Sequence, residues 1–464
     1  MTQHPVRAVE PVPTVESGPV EPVPDTGTAG AEGPCGSDGT LHDGLAMALA
    51  AGGAAAVGML SWVLAARALT PTELGTVTAF VSAFLLVAGA TELNLGVGLL
   101  RWLPRAGDAA RGLLVRGLSA IAVLAAVVAV VYLLLPGSSV IIDAVAGAGA
   151  PRGARVAGAA VFVVAAVLYA LFQQQDFVLV GLRRPWWAPG RTLLFAVGRL
   201  GILVGAGASL TASAVVVSWV VPTAACVLLV TVQAVWLTRR RAGPVGADRA
   251  GAGAGVLPAR REVLGFLGPT YLGQVAVSVL LNQVPLLVVV RFGPAQGAAF
   301  FLVWQAVTVV EVVAVYFATS MSAGIAREPQ RAVEFSRATL RRLLLLMLPA
   351  LAVGVLVARP VLSLFGTVYA AQAPVLQVML GALAFRMIVV HRLGEHQALG
   401  RSVRFARLAV VGTGLVVAVA ALVPTDAARP LWTLALGVLG VQAALAAVVV
   451  VRRRRERRGA EVPA

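Results

Sequence analysis

The stretch Arg67-Ala-Leu-Thr-Pro71-Thr-Glu-Leu-Gly75 separates two apolar runs, Leu45 to Leu69 and Val77 to Leu100. Each run is long enough to cross the ~30 Å hydrocarbon layer of a membrane as a helix. Between them Arg closes one span, Pro opens a turn where its missing N–H costs nothing, and Gly starts the next helix. Toward the C-terminus ten further runs of this kind follow: Leu113 to Leu135, Val156 to Leu182, Thr192 to Ala208, Ser213 to Leu237, Val263 to Val290, Ala298 to Ile325, Leu340 to Val357, Pro374 to Val390, Val403 to Val423 and Leu431 to Val451. Twelve spans predict an all-α polytopic membrane protein.

Composition agrees. Of 464 residues 59% are hydrophobic and 12% charged, and the mean hydropathy is +0.88. Soluble domains carry about twice that share of charge. The 37 basic residues, all Arg, outnumber 21 acidic ones and give a net charge of +16. Their positions explain the excess. With the N-terminus inside, 28 Arg fall in inner connections or the C-terminal tail and six in outer ones. This is the positive-inside pattern, so the charge reads as topology and not as nucleic-acid binding. The expected location is the cell membrane, multi-pass, with both termini cytoplasmic. Trp102, Trp186, Trp187 and Trp236 mark inner span ends, as an interfacial aromatic belt does.

Several chemistries are excluded by what is missing. Cys35 lies in a polar tail and Cys226 in an apolar run, and four His show no metal-ligand spacing. With no Lys there is no phosphate-binding Gly-Lys loop, and no nucleophile elbow is present. No cofactor, no metal and no enzymatic activity are expected.

The spans divide into two sets of six. The turn at Arg67 recurs as Arg291-Phe-Gly-Pro294-Ala-Gln-Gly297 after the seventh span. Matching turns at matching places imply two pseudo-symmetric lobes related by an axis along the membrane normal. The expected organisation is a disordered Pro/Glu-rich tail over residues 1–43, a six-helix lobe over 44–237 and a basic linker over 238–262. A second six-helix lobe covers 263–451, and an Arg-rich tail covers 452–464.

The turn Ala65-Ala-Arg67-Ala-Leu-Thr-Pro-Thr-Glu-Leu-Gly75 resembles the opening of polysaccharide exporters and lipid-linked oligosaccharide flippases. These belong to the multidrug/oligosaccharidyl-lipid/polysaccharide (MOP) exporter superfamily. Asn94-Leu-Gly96-Val-Gly98-Leu-Leu-Arg101 is similar to that family's Gly-rich end of span two. Asp176-Phe-Val-Leu-Val-Gly181-Leu-Arg-Arg184-Pro-Trp-Trp and Val361-Leu-Ser-Leu-Phe365-Gly-Thr-Val-Tyr369-Ala resemble its actinobacterial polysaccharide biosynthesis members. The resemblance implies a transporter that moves a lipid-linked oligosaccharide or polysaccharide precursor across the cytoplasmic membrane by alternating access. Its partners would be a lipid-linked glycan or other amphipathic substrate, the bilayer, and enzymes of envelope polysaccharide assembly. A small-molecule exporter of the same superfamily is the alternative, followed by a non-transporting scaffold of envelope assembly. A membrane glycosyltransferase fits poorly, because the longest outer connection, Pro136 to Arg155, holds one acid, Asp143.

Charges inside spans are costly, so those retained face a partner or a cavity. Glu92 in span two and Glu311 in span eight lie 17 and 14 residues after Gly75 and Gly297, which predicts similar depth on matching helices. They are candidates for sensing a proton, a cation or the cationic lining of a central cavity. Arg199 and Arg386 are intramembrane cations with no partner evident in the sequence. Guanidinium suits the phosphates of a polyprenyl-linked head group, and Arg386 also lies within snorkelling reach of the inner surface. Asp176 is expected to pair with the Arg183 cluster. His391, Glu395 and His396 are expected at a solvated helix end. Asn282 and Gln283 precede Pro285, which removes a backbone hydrogen bond that adjacent amides could replace. Pro285 in span seven, with Gly52, Gly53 and Gly58 in span one, are hinge candidates.

Overall fold

The computed structural model describes residues 37–92, 109–182, 187–241 and 268–460, scattered positions between 93 and 108, and Arg184, with most side chains described from Gly53 onward. Residues 1–46 cluster apart from 47–464, and the second unit is described below. The expected tail falls outside the described residues up to position 36, and the expected linker does so from 242. Arg101, Trp102, Arg183, Trp186, Arg260 and the end of the C-terminal tail are outside them too.

Among the described residues the chain is helical, with no strand. The first half forms α1 (Ser37–Ala68), α2 (Pro71–Thr91), α3 (Ala110–Leu133), the short α4 (Ser139–Ala146), α5 (Arg152–Gly181), α6 (Trp187–Ala206) and α7 (Ala212–Arg241). The second forms α8 (Pro269–Phe292), α9 (Pro294–Arg327), α10 (Ala332–Ser363), α11 (Ala373–Ala398), α12 (Ser402–Leu422) and α13 (Pro430–Ala460). Eleven of these are long and apolar enough to cross a membrane, and Gly53–Ala68 of α1 is a shorter apolar helix. Each expected span therefore has its helix. Short elements were not expected, chief among them α4, in the Pro136 to Arg155 connection, where Asp143 pairs with Arg155 at 2.9 Å.

Helix ends follow the local sequence. Thr70 and Glu73 form a reciprocal capping box ahead of α2, with Pro71 at its first position. The backbone N–H of Thr70 donates to Glu73 Oε2 at 2.9 Å, and the N–H of Glu73 to Thr70 Oγ1 at 3.3 Å. At the matching turn α9 starts with Pro294 after Gly293, whose φ of +88° favours glycine. These two turns meet. Gly75 lies so close to Pro294 that a methyl group there would overlap the Pro294 backbone.

Burial separates centre from rim. The membrane-length window of α2 is 72% buried, against 17% for α6 and α10. Leu356 and Leu422 are 79% exposed, as side chains facing hydrocarbon are. Extensive helix packing stays within each half of the chain except where α2 lies along α8 and α9. Hydrogen bonds also cross between the halves, among them the Tyr132 hydroxyl to Gln283 at 2.7 Å. Arg67 donates from Nε to the Leu364 carbonyl at 2.7 Å and from Nη2 to that of Ser363 at 3.0 Å, capping the end of α10. Tyr271 donates to the Ala90 carbonyl at 2.6 Å.

Candidate functional site: two buried arginines

The buried stripe of α6 contains Arg191, Phe195, Arg199 and Leu203, four residues apart, so all share one face. The two arginines on it are handled differently. Arg191 donates to Asp176 at 2.7 Å, to the Phe172 carbonyl, and to Gln175 Oε1 at 3.4 Å. Asp176 therefore pairs with Arg191 of the expected Arg cluster, which the first turns of α6 carry back alongside the end of α5; Arg183 lies outside the described residues.

Arg199 lies ~12 Å deeper along the helix and is 3% exposed. Its guanidinium sits 4.2 Å from the ring centroid of Trp219 (α7) and 4.8 Å from that of Trp62 (α1). Phe84, Phe195 and Tyr169 pack against Trp219 in turn. Nε and Nη2 have no hydrogen-bond partner, and among the described residues no carboxylate pairs with it. A desolvated cation–π contact is worth about 2 kcal/mol. Burying an ion costs several kcal/mol even after relaxation. Two rings thus offset only part of the cost, and the cation remains short of an anion.

Arg386 (α11) presents the opposite case. It is 7% exposed, and its Nε donates to Glu311 Oε1 (α9) at 3.0 Å. The expectation of an unpartnered Arg386 is corrected: α9 packs against α11 and brings in a carboxylate 75 residues away. The pair borders a cavity of about 30 Å³ lined also by Leu281, Trp304, Thr308 and Gln442. That is room for one water, and Gln442 Oε1 has no protein partner.

Glu92 and Glu311 take different places on their helices. α2 ends at Thr91, with Glu92 as its C-cap, whereas Glu311 lies in the middle of α9. Thr91 Oγ1 donates back to Val87 and Ala88 carbonyls there, and Asn94, Gly96 and Gly98 follow. The half-buried Glu92 side chain forms no ion pair among the described residues.

Pro285 removes the N–H that would bond the Leu281 carbonyl. Trp304 fills the vacancy, donating Nε1 to Leu281 O at 2.9 Å. The neighbouring amides do other work. Asn282 donates to the Ser278 carbonyl at 3.0 Å, and Gln283 accepts from the Tyr132 hydroxyl of α3 at 2.7 Å. α8 runs unbroken through Pro285, as α1 does through Gly52, Gly53 and Gly58, and a methyl group at Gly53 or Gly58 would touch nothing. His391, Glu395 and His396, expected in solvent, are buried. Ser336 of α10 meets His391 at 3.1 Å, and Arg392 holds Glu395 at 2.9 Å and Glu456 of α13 at 2.6 Å.

The overall arrangement has solved counterparts. An inward-facing multidrug resistance MATE family transporter of the MOP superfamily superposes with a TM-score of 0.64, at 16% identity, covering 87% of this chain and 94% of that one. Lipid II flippase MurJ in an inward closed conformation gives 0.64 at 11% identity, covering 88% and 87%. The chain has the fold of the MOP superfamily. An outward-facing conformation of a multidrug resistance MATE family transporter also has the MOP fold, and matches at 0.56, 16% identity, 87% and 93%. No protein-family profile matches the sequence. No curated protein sequence matches it either.

Proposed function

We propose that this multi-pass membrane protein is a transporter that moves a lipid-linked oligosaccharide or related polysaccharide precursor from the cytoplasmic to the outer leaflet. The observation that carries the reading is Arg199, a buried cation on a membrane-crossing helix with free donors and, among the described residues, no carboxylate. It is suited to an anionic group that the described residues do not supply, and a phosphorylated head group is such an anion. The MOP fold supports transport as the use of that cation. The lobes 44–237 and 263–451, joined by the 238–262 linker, rock about the α2–α8–α9 contact. Arg67 and the Gly75–Pro294 contact hold them together at the outer end in this state, with both termini cytoplasmic. Bending of α1 at its glycines and of α8 at Pro285 opens a path to Arg199.

Glu311 and Arg386 are the coupling pair in this scheme. A proton or cation taken by Glu311 releases Arg386, while Gln283 and Asn282 of α8, and Glu92 at the end of α2, respond to the shift between lobes. The aromatic shell of Trp62, Trp219, Phe84 and Tyr169 favours a second reading, export of a flat small molecule by the same fold. Reconstitution into liposomes with a fluorescent lipid-linked glycan separates the two. Protein-dependent, gradient-dependent loss of the label from the inner leaflet is expected. Accumulation of aromatic dyes with no glycan movement is the result that supports the second reading.

A further inference from the structure

The Arg-rich ends of α11, α12 and α13 enclose a second pocket, of about 370 Å³, whose lining includes neither Arg199 nor Arg386. A tight turn at Gly400, with φ of +65°, folds α12 back on α11. Arg404 and Arg407 then share one face of α12 at i,i+3 spacing, and Val411 continues that face one turn further on. Across from them α13 shows the same order, Val448 and then Arg452. Both walls thus change from apolar to basic toward the end of the bundle. Val411 is 54% exposed and Val448 48%, so the pocket opens sideways onto hydrocarbon.

The charges are not balanced internally. Arg392, on the floor, is committed to Glu395 and Glu456. Arg404 has only a 3.7 Å approach to Glu456, and Arg407 and Arg452 have no carboxylate among the described residues. His396, 6% exposed, lines the same pocket with Nδ1 unpartnered. Basic pockets between membrane helices hold lipid head groups, and guanidinium forks match phosphate oxygens.

We propose that this pocket binds an anionic membrane phospholipid, its phosphodiester held by Arg404, Arg407 and Arg452 and its acyl chains lying along Val411 and Val448. The site is independent of the transport reading. Free phosphate shares the head-group chemistry but has no use for the apolar wall.

Native mass spectrometry of the full chain, released from neutral detergent with graded phosphatidylglycerol, tests the assignment. The triple variant R404Q/R407Q/R452Q is expected to retain the lipid about tenfold less well or worse. R111Q/R116Q/R342Q, which removes the same charge from exposed positions elsewhere, is expected to match the wild type. If the first triple does not fold, R407Q alone is expected to bind about threefold more weakly. Equal retention by wild type and pocket variant overturns the proposal. So does equal loss in both triples, or phosphatidylcholine bound as well as phosphatidylglycerol. Displacement of the lipid by millimolar inorganic phosphate overturns the lipid as the ligand.

Discussion

The two halves of the chain each bury an arginine in the membrane and solve the problem in opposite ways. The second half supplies Arg386 with the Glu311 carboxylate at 3.0 Å. The first half gives Arg199 two indole faces and, among the described residues, no acid. A paired charge is satisfied where it stands and resists removal of its partner. A charge held only by aromatic faces keeps its hydrogen-bond donors free, at a cost in stability. In the proposed function the first half recognises the ligand and the second holds a switchable internal pair.

The sharpest way to break this contrast is to remove one member from each half. E311A strands Arg386 in the interior and is expected to cost about 3–5 kcal/mol in equilibrium unfolding from mixed micelles. R199Q removes a charge that has no counter-charge among the described residues, losing cation–π contacts but also the burial penalty. It is expected to stay within about 2 kcal/mol of the wild type. Equal losses would mean that Arg199 is as well compensated as Arg386.

A smaller effect sharpens the claim that the second half supplies its own donor to the carbonyl that Pro285 leaves open. W304F deletes the donor to the Leu281 carbonyl and is expected to cost about 1–3 kcal/mol. In a P285A background the backbone N–H returns, and the same change is expected to cost less than half as much. Additivity in that cycle would show that Trp304 acts through packing alone.

The smallest effect concerns α1. Gly58 has open space around its missing side chain, so G58A is expected to stabilise the helix by up to about 1 kcal/mol. If bending of α1 admits substrate, it is also expected to slow translocation, read as initial rate against unfolding midpoint. A stabilised variant with an unchanged rate would remove α1 from the hinge.

The spans were legible because length and apolarity decide membrane helices before any tertiary contact forms. The Arg67 turn was legible as a turn, through Thr70, Pro71 and Glu73. Its main contacts were not, since the Ser363 and Leu364 carbonyls lie 296 and 297 residues away. Glu311 and Arg386 both stood out as intramembrane charges, yet their pairing depends on which helices are neighbours. Trp62 and Trp219 were invisible as a cage because a Trp inside an apolar run looks the same facing lipid or core. Pro285 did carry a usable signal: its missing N–H demands a donor for Leu281, and Trp304 on the next helix is a donor. His391 and His396 misled because their burial comes from packing against α10 and α13, which local polarity does not report.

The most direct test of the account is the translocation rate of R199Q in proteoliposomes, with a fluorescent lipid-linked glycan and matched amounts of folded protein. Loss of the charge-assisted phosphate contact is expected to reduce the initial rate by about tenfold or more, with R199K recovering part of it. Wild-type rates in R199Q would contradict the assignment of Arg199 to the anionic head group.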